Sequence, residues 1–208
     1  MRLVELEVNA VIGERRYSKT INIVIDNDSV ALHTVSVSQG VQGTLTDRFN
    51  AIYGQGTAPT GFFKSDLYSL YGTLDFSGHA SSVGTVFASN GQPLLKYLPN
   101  INGLIFDGCA NVQPTGSSFG TYDSQTNTLV FETLPNLTTL SFANCNASDT
   151  GILDLTGCEN ITSLDLRGTQ VGVKLVNSKV SSLQLGSPIS VSISNPRTLG
   201  ESETTFTI

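Results

Sequence analysis

A six-residue phrase returns along this chain, and it constrains the fold more than any single residue does. It reads LIFDGC at 104–109, LSFANC at 140–145, LDLTGC at 153–158 and LDLRGT at 164–169. Looser copies follow as VKLVNS at 173–178, LQLGSP at 183–188 and VSISNP at 191–196, and LDFSGH at 74–79 comes before them all. The shared grammar is apolar, polar, apolar, then two small or polar residues, then most often Cys, Thr, Ser or Pro. A strand that buries one side of itself must stack against copies of itself. Such repetition therefore fixes architecture before it suggests chemistry.

The spacing carries the main structural inference. LPNINGLIFDGC at 98–109 matches LPNLTTLSFANC at 134–145 with a period of 36. Past residue 150 the phrases start at 153, 164, 173, 183 and 191, so the steps are 11, 9, 10 and 8. A parallel neighbour cannot be reached in so few residues, because the crossover must travel out and back. Every second phrase gives 20 residues from 153 to 173, 18 from 173 to 191 and 19 from 164 to 183. A coil of roughly twenty residues, with two short strands on opposite sides, meets both sets of numbers. An antiparallel meander competes with it, but would prefer Asn-Gly or Asp-Gly at its loop centres. CENITS and TQVG supply neither. Alternation puts the outer apolar residues inside and the middle residue outside. This predicts one outward column of Asp154, Lys174 and Ser192 and another of Asp165 and Gln184. Strands about 4.8 Å apart would let Asp154 pair with Lys174, an exposed contact worth only ~0–1 kcal/mol but useful as a register test.

The fold class expected is mostly β: a small N-terminal antiparallel β domain followed by a short β-solenoid. Residues 1–53 read as an anchoring β region, with Ile21, Ile23 and Ile25 alternating before the turn Asp26-Asn27-Asp28-Ser29, and Leu32, Val35 and Val37 after it. Residues 54–73 read as a linker, GQGTAPTG, and a short helix in FFKSDLYSLY with Phe63, Leu67, Leu70 and Tyr71 at helical spacing. The irregular solenoid spans 74–196, with a surface excursion at 113–127, and residues 197–208 form an extended tail. Its β-prone end, Thr204 to Ile208, is an edge liability unless paired. It is expected to dock on the last coil or on a neighbouring subunit.

Composition narrows the function classes. Only 13% of the 208 residues are charged and the net charge is −6, which disfavours nucleic acid as a partner, since phosphate neutralisation needs clustered Lys and Arg. No apolar run reaches the length of a membrane span. The start, MRLVELEVNAVIGERR, lacks the features of a secretory leader. Cys109, Cys145 and Cys158 are odd in number and fall at one slot of the phrase. Their reading is buried, reduced thiols, with no metal site and no cofactor, which suits a reducing cytoplasm.

These residues resemble the leucine-rich repeat family, in the short variety with two strands per coil found in Bacteroidetes proteins. GILDLTGCENITSLDLRGTQV at 151–171 carries the resemblance best, within a stretch of about 98–196. It implies that Cys109, Cys145, Cys158 and Thr169 point inward at the turn and satisfy backbone groups there. The last copies depart from the grammar and read as a cap. In composition and layout the chain also resembles structural proteins of tailed phages of gut Bacteroidetes, which join a small anchoring β domain to an extended β module.

No catalytic constellation emerges. His33 and His79 have no neighbouring nucleophile in a recognisable motif. Asp75, Asp107, Asp154 and Asp165 invite a paired-carboxylate reading, but the two-sided coil puts Asp154 and Asp165 on opposite faces. Asp26-Asn27-Asp28 lacks the ligand pattern of a calcium loop. The sequons at Asn136, Asn146 and Asn160 are what Ser/Thr/Asn-rich repeats produce by chance. The expectation is a non-enzymatic structural protein of a virion: a fibre, decoration or tail accessory protein assembled in the host cytoplasm. Its partners would be its own copies and other virion proteins, and a host surface glycan or protein. A surface or secreted adhesin at the bacterial cell surface is the alternative.

Overall fold

The computed structural model describes residues 2–12, 15–25, 35, 37–83, 88–89, 92–188, 190–194 and 205–207. His33 and the turn at 26–29 lie outside them. The chain divides into two compact units, 1–33 and 34–208. The boundary thus falls well before residue 53, where the sequence reading placed it.

The first unit holds an antiparallel hairpin of β1 (Arg2–Ile12) and β2 (Arg15–Ile25). Its ladder runs unbroken from Arg2 opposite Ile25 to Ile12 opposite Arg15. Within it Val4 stands opposite Ile23, Leu6 opposite Ile21 and Val8 opposite Lys19.

The second unit opens with a helix where strands were expected. Helix α1 (Gln39–Tyr53) is capped at its start by Ser38, whose hydroxyl accepts from the Val41 N–H at 3.5 Å. Val41 and Leu45 are buried, with Phe49 and Ile52 packed against the core, a helical spacing. Gly40 and Gly43 look like breakers in sequence but are needed for close packing. A Cβ on Gly40 would lie 2.4 Å from the Val83 nitrogen, and one on Gly43 would lie 2.7 Å from the His79 ring. Gly54, at φ 108°, ends the helix. Helix α2 (Lys64–Ser69) lies inside the segment predicted for it, with Leu67 and Leu70 buried and Asp66 accepting from the Phe63 N–H at 2.7 Å.

The remainder is mostly β. In chain order the strands are β3 (Gly72–Asp75), a two-residue pair β4 (Ala88–Ser89) and β5 (Gln92–Pro93), β6 (Ile101–Ile105), β7 (Gly120–Asp123), β8 (Thr128–Phe131), β9 (Thr139–Ser141) and β10 (Ile152–Asp154). They continue as β11 (Ser163–Leu166), β12 (Gly172–Val176), β13 (Ser182–Leu185), β14 (Val191–Ser194) and β15 (Thr205–Thr207). From β8 onward the strands alternate between two sheets. One has the order β14-β12-β10-β8-β7, the other β15-β13-β11-β9-β6-β3. Every pairing in them is parallel except β7 with β8. Parallel pairing excludes the meander.

The registers match the phrase. Leu74, Leu104, Leu140, Leu164 and Leu183 stand opposite one another along the six-stranded sheet, and Leu129, Leu153, Val173 and Val191 along the five-stranded one. The second apolar slot fills the space between them. Phe76, Phe106 and Phe142 stack with centroids 4.5 and 5.0 Å apart, and Phe119 meets Phe106 and Phe142 edge-on, 5.3 Å from each. TLVF at 128–131 is a copy of the strand half of the phrase that the sequence reading passed over. The excursion at 113–127 adds β7 as an antiparallel edge. The C-terminal end does dock: Ser182, Leu183 and Gln184 pair with Thr205, Phe206 and Thr207.

Candidate functional site

The polar slots of the phrase have structural employment. In the second slot Asp75, Asp154 and Asp165 each accept the backbone N–H two residues on, from Ser77 at 2.9 Å, Thr156 at 3.0 Å and Arg167 at 3.0 Å. Ser141 does the same for Ala143 at 3.4 Å. These are Asx and Ser turns that close each strand. The fifth slot then needs left-handed backbone at Gly108, Asn144, Gly168 and Asn177, with φ between 53° and 74°. Glycine and asparagine are the residues that tolerate it.

The sixth slot satisfies carbonyls of the preceding repeat. The thiols of Cys109, Cys145 and Cys158 are buried and point at the carbonyl oxygens of Phe76, Phe106 and Glu132, at 3.8, 3.1 and 3.5 Å. Thr169 donates instead to Leu166 at 2.8 Å. All three cysteines are free. Burial pushes the thiols up to about 11, 12 and 11, helped by the nearby Asp107 carboxylate at Cys109. Such thiols are poor nucleophiles and poor metal ligands at neutral pH. The corners carry further ladders. The amides of Asn100, Asn136 and Asn160 donate to the carbonyls of Tyr68, Pro99 and Pro135, at 2.9, 3.0 and 2.6 Å. Two of these asparagines are the sequons dismissed on composition.

On the outer faces the predicted columns form. Asp154 stands opposite Lys174, which stands opposite Ser192, and Asp165 stands opposite Gln184 on the other sheet. Lys174 Nζ lies 2.7 Å from Asp154 Oδ2. The pair is less exposed than expected, since the Asp154 side chain is only 8% accessible. Burial alone would raise its carboxyl. Lys174 and the hydroxyl and N–H of Thr156 outweigh that and hold it below the usual carboxylate range. Asp165 is instead clamped by Arg167, at 2.7 Å. The two aspartates lie on different sheets and do not cooperate. His79 contacts Asp47 at 2.8 Å, with no nucleophile in that pair. Among the described residues no group of three or more His, Cys, Asp or Glu could hold a metal ion, and no helix is long and apolar enough to cross a membrane.

Two concavities flank the β7–β8 hairpin. One, of about 370 Å³, lies over the outer face of the five-stranded sheet and includes Val130, Asp154 and Lys174. The other, of about 410 Å³, lies between the hairpin, the 113–117 loop and the 148–151 turn. Asp149 builds the second. Its Oδ2 accepts from the Thr115 N–H at 2.9 Å, and its Oδ1 from the Thr115 hydroxyl at 2.6 Å and the Gly151 N–H at 3.1 Å. Asn127, left-handed at φ 51°, receives the Tyr122 hydroxyl on its Oδ1 at 2.8 Å and donates to the Thr150 carbonyl at 3.3 Å. Sequence reasoning missed this site, because the excursion read only as turn formers. The usable signal was a lone Tyr inside it and an Asp among Ser and Thr at 148–150. The chain matches no family model, no curated protein and no solved structure.

Proposed function

We propose that this chain is a non-enzymatic structural protein, a virion component in which the N-terminal hairpin is the assembly element and the second unit a projecting leucine-rich-repeat-like β-solenoid. What supports the solenoid is the alternation of successive strands between two parallel sheets, with side-chain columns in register. What speaks against catalysis is the employment of the candidate groups. The aspartates close turns, the thiols are buried against carbonyls, and His79 faces a carboxylate.

The observation that carries the assembly reading is the hairpin. It has two 11-residue strands, with sequences rich in Val, Leu and Ile, that form a two-stranded sheet. A two-stranded sheet is at best marginally stable in water, and needs further strands or a covering layer. The charges also differ between the two edges. β1 carries Glu5 and Glu7 beside Arg2, a net charge of −1, whereas β2 carries Arg15, Arg16 and Lys19 and no acid. A net-acidic strand beside a basic one suits pairing of β1 in one copy with β2 in the next, which repeats the hairpin's own pairing. An antibody to the chain, used on density-gradient fractions of producing cells, tests the virion assignment. Co-sedimentation with particles is expected. Recovery only as a free, stable monomer would overturn it.

A further inference from the structure

The second cleft has a composition that selects a ligand class. Its volume, about 410 Å³, falls in the small-molecule range, but it lacks the aliphatic lining of most such pockets. Its side chains are the amides Gln113 and Asn127, hydroxyls including Ser117 and Thr150, the carboxylate Asp149 and one aromatic, Tyr122. Among the described residues no Lys, Arg or His borders it, so a phosphate or carboxylate ligand would find a carboxylate and no compensating cation there. An apolar ligand would strand the amides and hydroxyls unpaired. A neutral ligand carrying many hydroxyls meets both conditions, since each hydroxyl can donate to one wall and accept from another.

The walls are fixed in advance. Three donors to Asp149 lock its carboxylate, and Oδ2 accepts only one of them, leaving capacity for a ligand hydroxyl. The hydrogen bond to Asn127 holds Tyr122, whose side is 43% exposed at the rim as a rigid amphipathic platform. Gly151 lets the 148–151 turn pack closely on Thr115, for a Cβ there would sit 2.5 Å from the Thr115 hydroxyl. Preorganised polar groups of this kind reduce the ordering that binding would otherwise cost.

We infer that the cleft between the β7–β8 hairpin and the 148–151 turn is a binding site for a neutral saccharide, with Tyr122 as stacking platform and Asp149, Asn127 and Gln113 as hydrogen-bonding partners. The inference does not depend on virion assembly, because it rests only on the second unit.

Saturation-transfer NMR on the full chain tests it. The probes are glucose, galactose, mannose and N-acetylglucosamine, each also as its methyl glycoside, with inorganic phosphate titrated separately and followed by ³¹P line width. At least one neutral sugar is expected to receive saturation. Its affinity should fall about tenfold, corresponding to the loss of one anchoring contact, in Tyr122→Ala and in Ser117→Trp, a substitution at an exposed position that fills the cleft. Both variants should keep the wild-type circular dichroism and melting curve, which separates loss of the site from loss of the fold. The inference is overturned if none of the sugars receives saturation, if phosphate binds and sugars do not, or if folded Tyr122→Ala and Ser117→Trp both bind like wild type.

Discussion

At the scale of single residues, the fifth phrase slot is left-handed at Gly108, Asn144, Gly168 and Asn177 but not at Gly157, and its cost can be measured. Gly108 and Gly168 both sit at φ 74°. A Cβ on Gly108 meets nothing within 4 Å, whereas one on Gly168 would lie 2.5 Å from Asn144 Oδ1 and 3.2 Å from its Cα. Gly108→Ala should therefore cost about 1–2 kcal/mol from backbone strain alone, and Gly168→Ala at least about 1 kcal/mol more from overpacking. Urea titration of the two variants separates these terms; equal losses would mean that Asn144 yields freely. The buried thiols set an alkaline limit. Their folded pKa values of about 11 to 12 exceed the unfolded value of about 8.5, so the proton is held more tightly in the fold. Their contribution is whole below about pH 8.5 and is lost as pH rises toward those folded values. A thiol reagent at pH 8 should label the native protein only as fast as it unfolds. Asp154 has the opposite sign. Its depressed carboxyl stabilises the fold above the unfolded value of about 3.9 and loses that contribution as pH falls below it. Asp154→Asn should flatten the acid limb of the stability curve.

At the scale of elements, β15 is the clearest case of a strand that guards an edge. It pairs with β13 through Thr205–Thr207 and closes one end of the six-stranded sheet. Removing 199–208 should leave β13 as an open parallel edge beside buried Leu183 and Leu185. Light scattering on heating should then show aggregation at lower temperature than in the full chain, and unchanged scattering would assign the tail no protective role. The elements also reveal what was legible in the sequence. Strand positions, parallel pairing and the two outward columns followed from counting phrase starts, because a two-residue side-chain period and a fixed coil length leave few alternatives. Helix α1 did not follow. Its Gly40 and Gly43 look like breakers, and only Val83 and His79, some 40 residues away in sequence, explain them. The β8 copy was hidden because Glu132 and Thr133 replace the small residues after Phe131. The cleft was illegible for a related reason. Asp149 and Thr115 are 34 residues apart, and only the fold makes them partners.

At the scale of the whole molecule, a two-stranded hairpin unit precedes a unit in which Asp75, Asp154 and Asp165 close the molecule's own turns. The assembly proposal holds that the hairpin joins copies of the chain. Multi-angle light scattering after size exclusion tests it directly, on the full chain and on a Leu6→Glu/Ile21→Lys variant, whose two changes face each other across the ladder. The expected result is a wild-type mass of at least twice 22.1 kDa, in whole multiples, and a folded, monomeric variant. A wild-type protein that stays monomeric at every concentration, or a variant that assembles just as well, would contradict it.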